Sequence, residues 1–240
     1  LAVAKADNTG NTITADTTAP TCTITTQKSA TDTTAIGSPT NASSITYKFT
    51  FSESVTGFAT GDITVTNGTK GTFSGSGATY YLVVTNSGSC SQKVEIATGC
   101  CTDAVGNNNT AASKTVTVDR AAPTLSNIKV TSPDAGTYKA GQAVTIVATF
   151  SENIYKDTSK GAVVATTTAL KLKFGSGTER TATFSSASGA TITYTYTIAS
   201  GDNGVLAITS YSGTVYDEAG NSLAVAKADN TGNTITADTT

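Results

Sequence analysis

Apolar and polar residues alternate one by one through several short stretches of the chain, the period-two signature of a strand with one buried and one wet face. Ile45, Tyr47, Phe49 and Phe51 fall on one face, and Thr46, Lys48, Thr50 and Ser52 on the other. Val144, Ile146, Ala148 and Phe150 repeat the pattern, as do Tyr80, Leu82 and Val84 and, later, Ile192, Tyr194 and Tyr196. Turn-forming runs (NGTKG at 67–71, SGSG at 74–77, ASG at 187–189, SGDNG at 200–204) punctuate these stretches as antiparallel hairpins require. The pattern predicts an all-β chain with no helix longer than a turn.

The alternating stretches recur in a fixed order. SITYKFTFSE (44–53) matches AVTIVATFSE (143–152), and GATYYLVVT (77–85) matches GATITYTYT (189–197). TDAVGN (102–107) matches YDEAGN (216–221), and TAPT (18–21) matches AAPT (121–124). Each half therefore repeats one plan over about 100 to 120 residues, the size of a single β-sandwich. A second repeat is letter-perfect: LAVAKADNTGNTITADTT occupies residues 1–18 and again 223–240. It implies a parent array with a period of 222 residues (residue 223 less residue 1). On this reading residues 1–18 are the terminal strand of the preceding copy, residues 19–119 the first domain and residues 120–240 the second. The junctions ADTTAP (15–20) and VDRAAP (118–123) each carry a Pro, which removes a backbone donor and ends a strand.

Composition narrows the function. The chain of 240 residues is rich in Thr, Gly and Ser, which suits pleated strands and turns, and it has no His, Met or Trp. Without His, the common imidazole general base, the Ser-His and Cys-His nucleophile pairs and the commonest metal ligand are gone. The 15 basic and 17 acidic residues are interspersed, with no basic stripe to neutralise a phosphate backbone, so nucleic acid is not expected as a partner. No apolar run approaches the roughly 20 residues of a membrane span.

The linked series APT, FSESVTGF (51–58) with GDITVTNG (61–68), TDAVGN and VDRAAPT (118–124) resembles the bacterial Ig-like domains strung in tandem along giant surface proteins and adhesins. The second half carries the related ATFSENI (148–154), SGDNG and YDEAGN. The resemblance implies two tandem immunoglobulin-like antiparallel β-sandwich domains of about seven strands each, serving as spacer, stalk or adhesive surface. It implies an extracellular, cell-surface location and offers no catalytic residues, so the chain is read as non-enzymatic.

Calcium is the best candidate ligand, because hard cations need several oxygen donors and acidic and amide residues cluster near the junctions. Glu53, Asp103, Asn107 and Asp119 are expected to converge at one end of the first domain, with Glu152, Asp217, Asn221 and Asp238 as counterparts in the second. Against this, Arg120 stands where the related junction has Thr17, and a guanidinium repels a divalent ion. D-x-x-G-N is also what a plain turn selects.

The four cysteines, Cys22, Cys90, Cys100 and Cys101, all lie in the first half without CxxC spacing, which favours structural disulfides over zinc. Three pairings are open. The expected one joins Cys90 to Cys100 and Cys22 to Cys101, since neighbours on a strand point to opposite faces; an intermolecular bridge is the alternative. The sequons at Asn41, Asn67 and Asn108 permit glycosylation but arise easily in so Asn- and Thr-rich a chain. Asp157, Glu179 and Asp202 read as solvated single carboxylates.

The expected partners are neighbouring copies of the same repeat, joined in a covalent array or by head-to-tail donation of the repeated strand. A surface glycan or protein bound through the loops is the alternative.

Overall fold

The computed structural model describes residues 15–240. Every described element is a strand apart from one 3-10 turn at Thr60–Asp62, and among the described residues no helix is long and apolar enough to cross a membrane. The chain divides into two compact units. Of the described residues, the first gathers 15–36, 44–86 and 92–115; the second gathers 37–43, 87–91 and 116–240.

The first sandwich is built from β1 (Cys22–Gln27), β2 (Ser44–Phe51), β3 (Ile63–Thr66), β4 (Thr69–Ser76), β5 (Thr79–Thr85), β6 (Cys90–Ile96) and β7 (Ala112–Val118). One sheet has the order β1-β2-β5-β4 and the other β3-β6-β7. This is the strand order of a constant-type immunoglobulin sandwich, in which sequence neighbours are shared between two sheets so that the inward faces meet. Alternation decides which faces those are: Ile45, Tyr47, Phe49 and Phe51 of β2 and Tyr80, Leu82 and Val84 of β5 are all buried. Phe58 sits among four rings, with centroids 5.4 Å from Phe49, 5.2 Å from Phe51, 5.7 Å from Phe73 and 5.1 Å from Tyr80, each edge to face. Without Trp, this aromatic cluster supplies the bulk that fills the gap between sheets. Gln92, fully enclosed like Asn109, accepts a hydrogen bond at Oε1 from the Tyr47 hydroxyl (2.7 Å) and donates from Nε2 to Asn86, as a buried amide must. The NGTKG run is a turn only at Asn67 and Gly68; Thr69 onward belongs to β4, because cross-strand pairing with β5 overrides local turn preference.

The second sandwich contains β8 (Leu125–Ser132), β9 (Gly136–Tyr138), β10 (Ala143–Phe150), β11 (Thr168–Phe174), β12 (Arg180–Thr181), β13 (Thr183–Ser188), β14 (Thr191–Thr197), β15 (Gly204–Tyr216), β16 (Ser222–Ala224) and β17 (Ile235–Ala237). One sheet has the order β13-β14-β10-β8 and the other β12-β11-β15-β17-β9, with β16 also paired to β15. It keeps the plan of the first sandwich and adds short strands at the edges. Val144, Ile146, Ala148 and Phe150 face Leu170, Leu172 and Phe174 in its core, as the period of two requires. β15, 13 residues long, pairs with β11, β16 and β17; its Gly213 has φ +125°, and a Cβ there would lie 2.3 Å from the Thr167 carbonyl oxygen.

Segment 223–240, the second copy of the exact repeat, closes this sandwich. β16 and β17 flank a stretch whose backbone bonds β8, from Thr231 N to Ile128 O at 3.0 Å and from Asn233 N to Val130 O at 2.9 Å. β17 itself lies antiparallel to β15 and parallel to β9. The first copy, apart from residues 15–18, falls outside the described residues.

Candidate functional site

The D-x-x-G-N sequences fold alike in both units. In the first, the Asp103 side chain accepts N–H bonds at Oδ1 from Val105 (2.9 Å), Gly106 (2.7 Å) and Asn107 (2.9 Å), and at Oδ2 from Asn107 Nδ2 (2.8 Å). In the second, Asp217 accepts from the Asn221 backbone N–H (2.8 Å) and from Asn221 Nδ2 (2.7 Å). Both Asp side chains are buried because the loop wraps its own N–H donors around them.

The Asn amide then grips the junction that precedes the domain. Asn107 Nδ2 also donates to the Asp16 carbonyl oxygen (3.1 Å), and Asn221 Nδ2 to the Asp119 carbonyl oxygen (2.9 Å). As a result Asp16, Glu53 and Asp103 bring one carboxylate oxygen each within 4.8 Å of one another, and Asp119, Glu152 and Asp217 do the same in the second unit.

The structure thus joins the expected residues with a shift of one junction. Glu53, Asp103 and Asn107 come together, but with Asp16 and not Asp119; Glu152, Asp217 and Asn221 come together with Asp119 and not Asp238. Asp238 stands apart and accepts hydrogen bonds from the Thr240 side chain and backbone. The reason is topological. A junction Asp lies just before its own domain's first strand, beside that domain's D-x-x-G-N loop, and not with the domain it ends. The signal that finds Asp16 is the match of ADTTAP to VDRAAP, read in the other direction.

The electrostatics are those of crowded acids. Burial, then the charges of Asp103 and Asp16, push the Glu53 carboxyl above its ordinary range. Burial, then Asp217 and Asp119, do the same to Glu152. Burial also acts to raise Asp103, but the hydrogen bonds from Asn107, Val105 and Gly106 outweigh it and hold that carboxyl below its ordinary value. Each unit therefore offers a hydrogen-bonded carboxylate beside a Glu that resists ionising, an arrangement that a bound cation would relieve.

The cysteines depart from expectation. Cys22, Cys100 and Cys101 carry free thiols. Cys90 opens β6, and Cys100 follows that strand after a turn. Cys22 and Cys101 are not joined by a disulfide. Cys100 and Cys101 lie on a bend after β6, not on a strand, so the rule of opposite faces does not apply to them. Burial pushes Cys22 up to about 12 and Cys101 likewise to about 12, the proximity of Cys100 adding to both.

Asp202, expected as a solvated single carboxylate, is buried. It is 3% exposed and accepts hydrogen bonds from Arg180 Nε (3.0 Å), the Tyr196 hydroxyl (2.6 Å) and Ala199 N–H (2.9 Å). Burial acts to raise it, but these donors prevail and its carboxyl sits below the ordinary value. SGDNG gave only a turn signal, and nothing local marks the Arg and Tyr that fold onto it.

No curated protein matches this chain. Among solved structures, a chimeric titin Z1Z2 carrying a decorin peptide shares 14% identity at a TM-score of 0.33, covering 94% of this chain and 100% of its own. The N-terminal part of the bacterial S-layer protein SbsC shares 13% at 0.31, covering 92% of this chain and 44% of its own. Titin domains Z1Z2 in complex with telethonin share 14% at 0.25, covering 94% and 98%. The family model described as bacterial Ig-like domain matches residues 16–120. That span begins at Asp16 and takes in all seven strands β1 to β7, so residues 16–120 belong to the bacterial Ig-like domain family.

Proposed function

We propose that this chain is a structural repeat unit of an extracellular bacterial surface protein, stalk or filament, in which head-to-tail Ig-like domains provide mechanical reach and spacing. The observation that carries the reading is the exact recurrence of residues 1–18 at 223–240, where the second copy forms the closing strands of a sandwich. A segment that ends one sandwich and recurs ahead of the next is what a periodic array of such units requires. Membership of residues 16–120 in the bacterial Ig-like family supports a structural, non-enzymatic role. The reading includes calcium held by Asp16, Glu53 and Asp103 and by Asp119, Glu152 and Asp217; its support is that the same grouping forms in both units.

Single-molecule extension of the 240-residue chain tests the mechanical reading. Two force peaks are expected, one per sandwich, each releasing roughly 30 nm of chain for about 100 residues. Extension without resolvable peaks would sink the idea. Selective, saturable binding on a glycan array would replace it with the alternative, an adhesin module that recognises a surface glycan through its loops.

A further inference from the structure

The slot filled by residues 223–240 is specific. Val225, Ile235 and Ala237 are 6%, 0% and 2% exposed and complete the core of the second unit. Asn230 Oδ1 accepts from Val130 N–H (2.8 Å), and Asn233 Nδ2 donates to the Pro133 carbonyl oxygen (2.7 Å). Gly232 passes so close to β8 that a Cβ there would lie 2.3 Å from the Val130 oxygen. Backbone bonds continue the grip, from Val225 N to Gly213 O, from Gly136 N to Thr234 O and from Asp238 N to Tyr138 O.

Every one of these determinants recurs in residues 1–18. Val3, Asn8, Gly10, Asn11, Ile13 and Ala15 stand where Val225, Asn230, Gly232, Asn233, Ile235 and Ala237 stand in the second copy. The slot has no chemical means of telling the two apart. Yet Ala15 is exposed, whereas Ala237, the same residue of the repeat, is buried. The first copy thus carries the same residues, in the same order, as the segment that fills this groove.

We infer that residues 1–18 of one chain can occupy the 223–240 slot in the second sandwich of another copy, so that copies join head to tail by strand exchange. The inference rests on the repeat-unit reading above and adds a partner and a binding groove to it. Such a contact is heterologous: each copy donates residues 1–18 and receives in its second sandwich, and the assembly propagates without closing. Main-chain ladders to β9, β15 and β8 supply affinity, and the buried Val, Ile and Ala fix the register. In a lone chain the resident copy wins because its tether raises its effective concentration, not because it fits better.

A substitution that spoils only the resident copy tips this balance. Gly232→Val drives a side chain into the β8 backbone while leaving Gly10 intact. In light scattering, G232V is expected at multiples of the 24.1 kDa chain mass, and the double variant G10V/G232V at the single mass. A synthetic peptide with the sequence of residues 1–18, added in excess, should return G232V to the single mass by filling the slot, which separates exchange from simple misfolding. G232V remaining at single mass at high concentration, equal assembly by G10V/G232V, or aggregates that the peptide fails to dissolve would each overturn the inference. None of these outcomes bears on the force peaks, so the spacer reading stands or falls separately.

Discussion

At the scale of single residues, the two Glu side chains of the carboxylate groupings work against folding at neutral pH. A carboxyl whose folded value is raised keeps its proton longer in the native state than in the unfolded one. Stability is therefore fully present below the unfolded value and is lost as pH rises through the folded one. Glu152→Gln should raise the melting temperature by a few degrees at pH 7 in chelator, because the Gln keeps the shape and drops the charge. Calcium should raise the wild-type melt as well, by an amount equivalent to about 2.7 kcal/mol once its concentration reaches about 100 times the dissociation constant. The same substitution should blunt that rise. Wild-type melts that coincide in calcium and in chelator would remove the ion from the account and leave the Asn amide as the feature that fixes each junction Asp to its loop.

At the scale of elements, the first sandwich depends on one ring that no strand contributes. Phe58 follows β2 and precedes the 3-10 turn, yet it meets four aromatic neighbours from β2, β4 and β5. Phe58→Ala leaves a cavity that flat sheets cannot collapse to fill, and a loss of about 3 to 5 kcal/mol is expected by denaturant unfolding. A cost below about 1 kcal/mol would mean that the cluster repacks around the gap. The position was legible only as part of FSESVTGF, a motif in a loop. Periodicity finds residues that face inward from a strand and passes over one that a loop inserts between sheets.

At the scale of the whole molecule, the two units share a plan but should differ in how they respond to alkali. Burial raises Cys22 and Cys101 in the first unit from an ordinary 9.0, and Tyr196 in the second from 10.0 up to about 12, with Tyr211 raised further by burial and by Tyr194. All are groups whose folded values exceed the unfolded ones, so their contribution is intact below the unfolded value and declines as pH climbs towards the folded value. The first sandwich should begin to lose stability near pH 9 and the second near pH 10, read as separate shifts in thermal unfolding. Cys22→Ala with Cys101→Ala should delay the first loss and leave the second alone. A single coincident decline, unchanged by those substitutions, would contradict the assignment.

What the sequence determined by itself was local or repetitive: the strands, their inward faces, the duplication of one plan and the exact repeat. Alternation of period two is a property of the extended backbone, so Ile45 to Phe51 and Val144 to Phe150 announce their burial without knowledge of their partners. Tertiary structure alone decided which distant groups meet at a domain's end. It assigned Asp16 and Asp119 each to the loop beside the strand that follows it. It buried Asp202 under Arg180 and Tyr196. Those encounters depend on how sheets stack and where loops close, which are long-range constraints that leave no periodic trace along the chain.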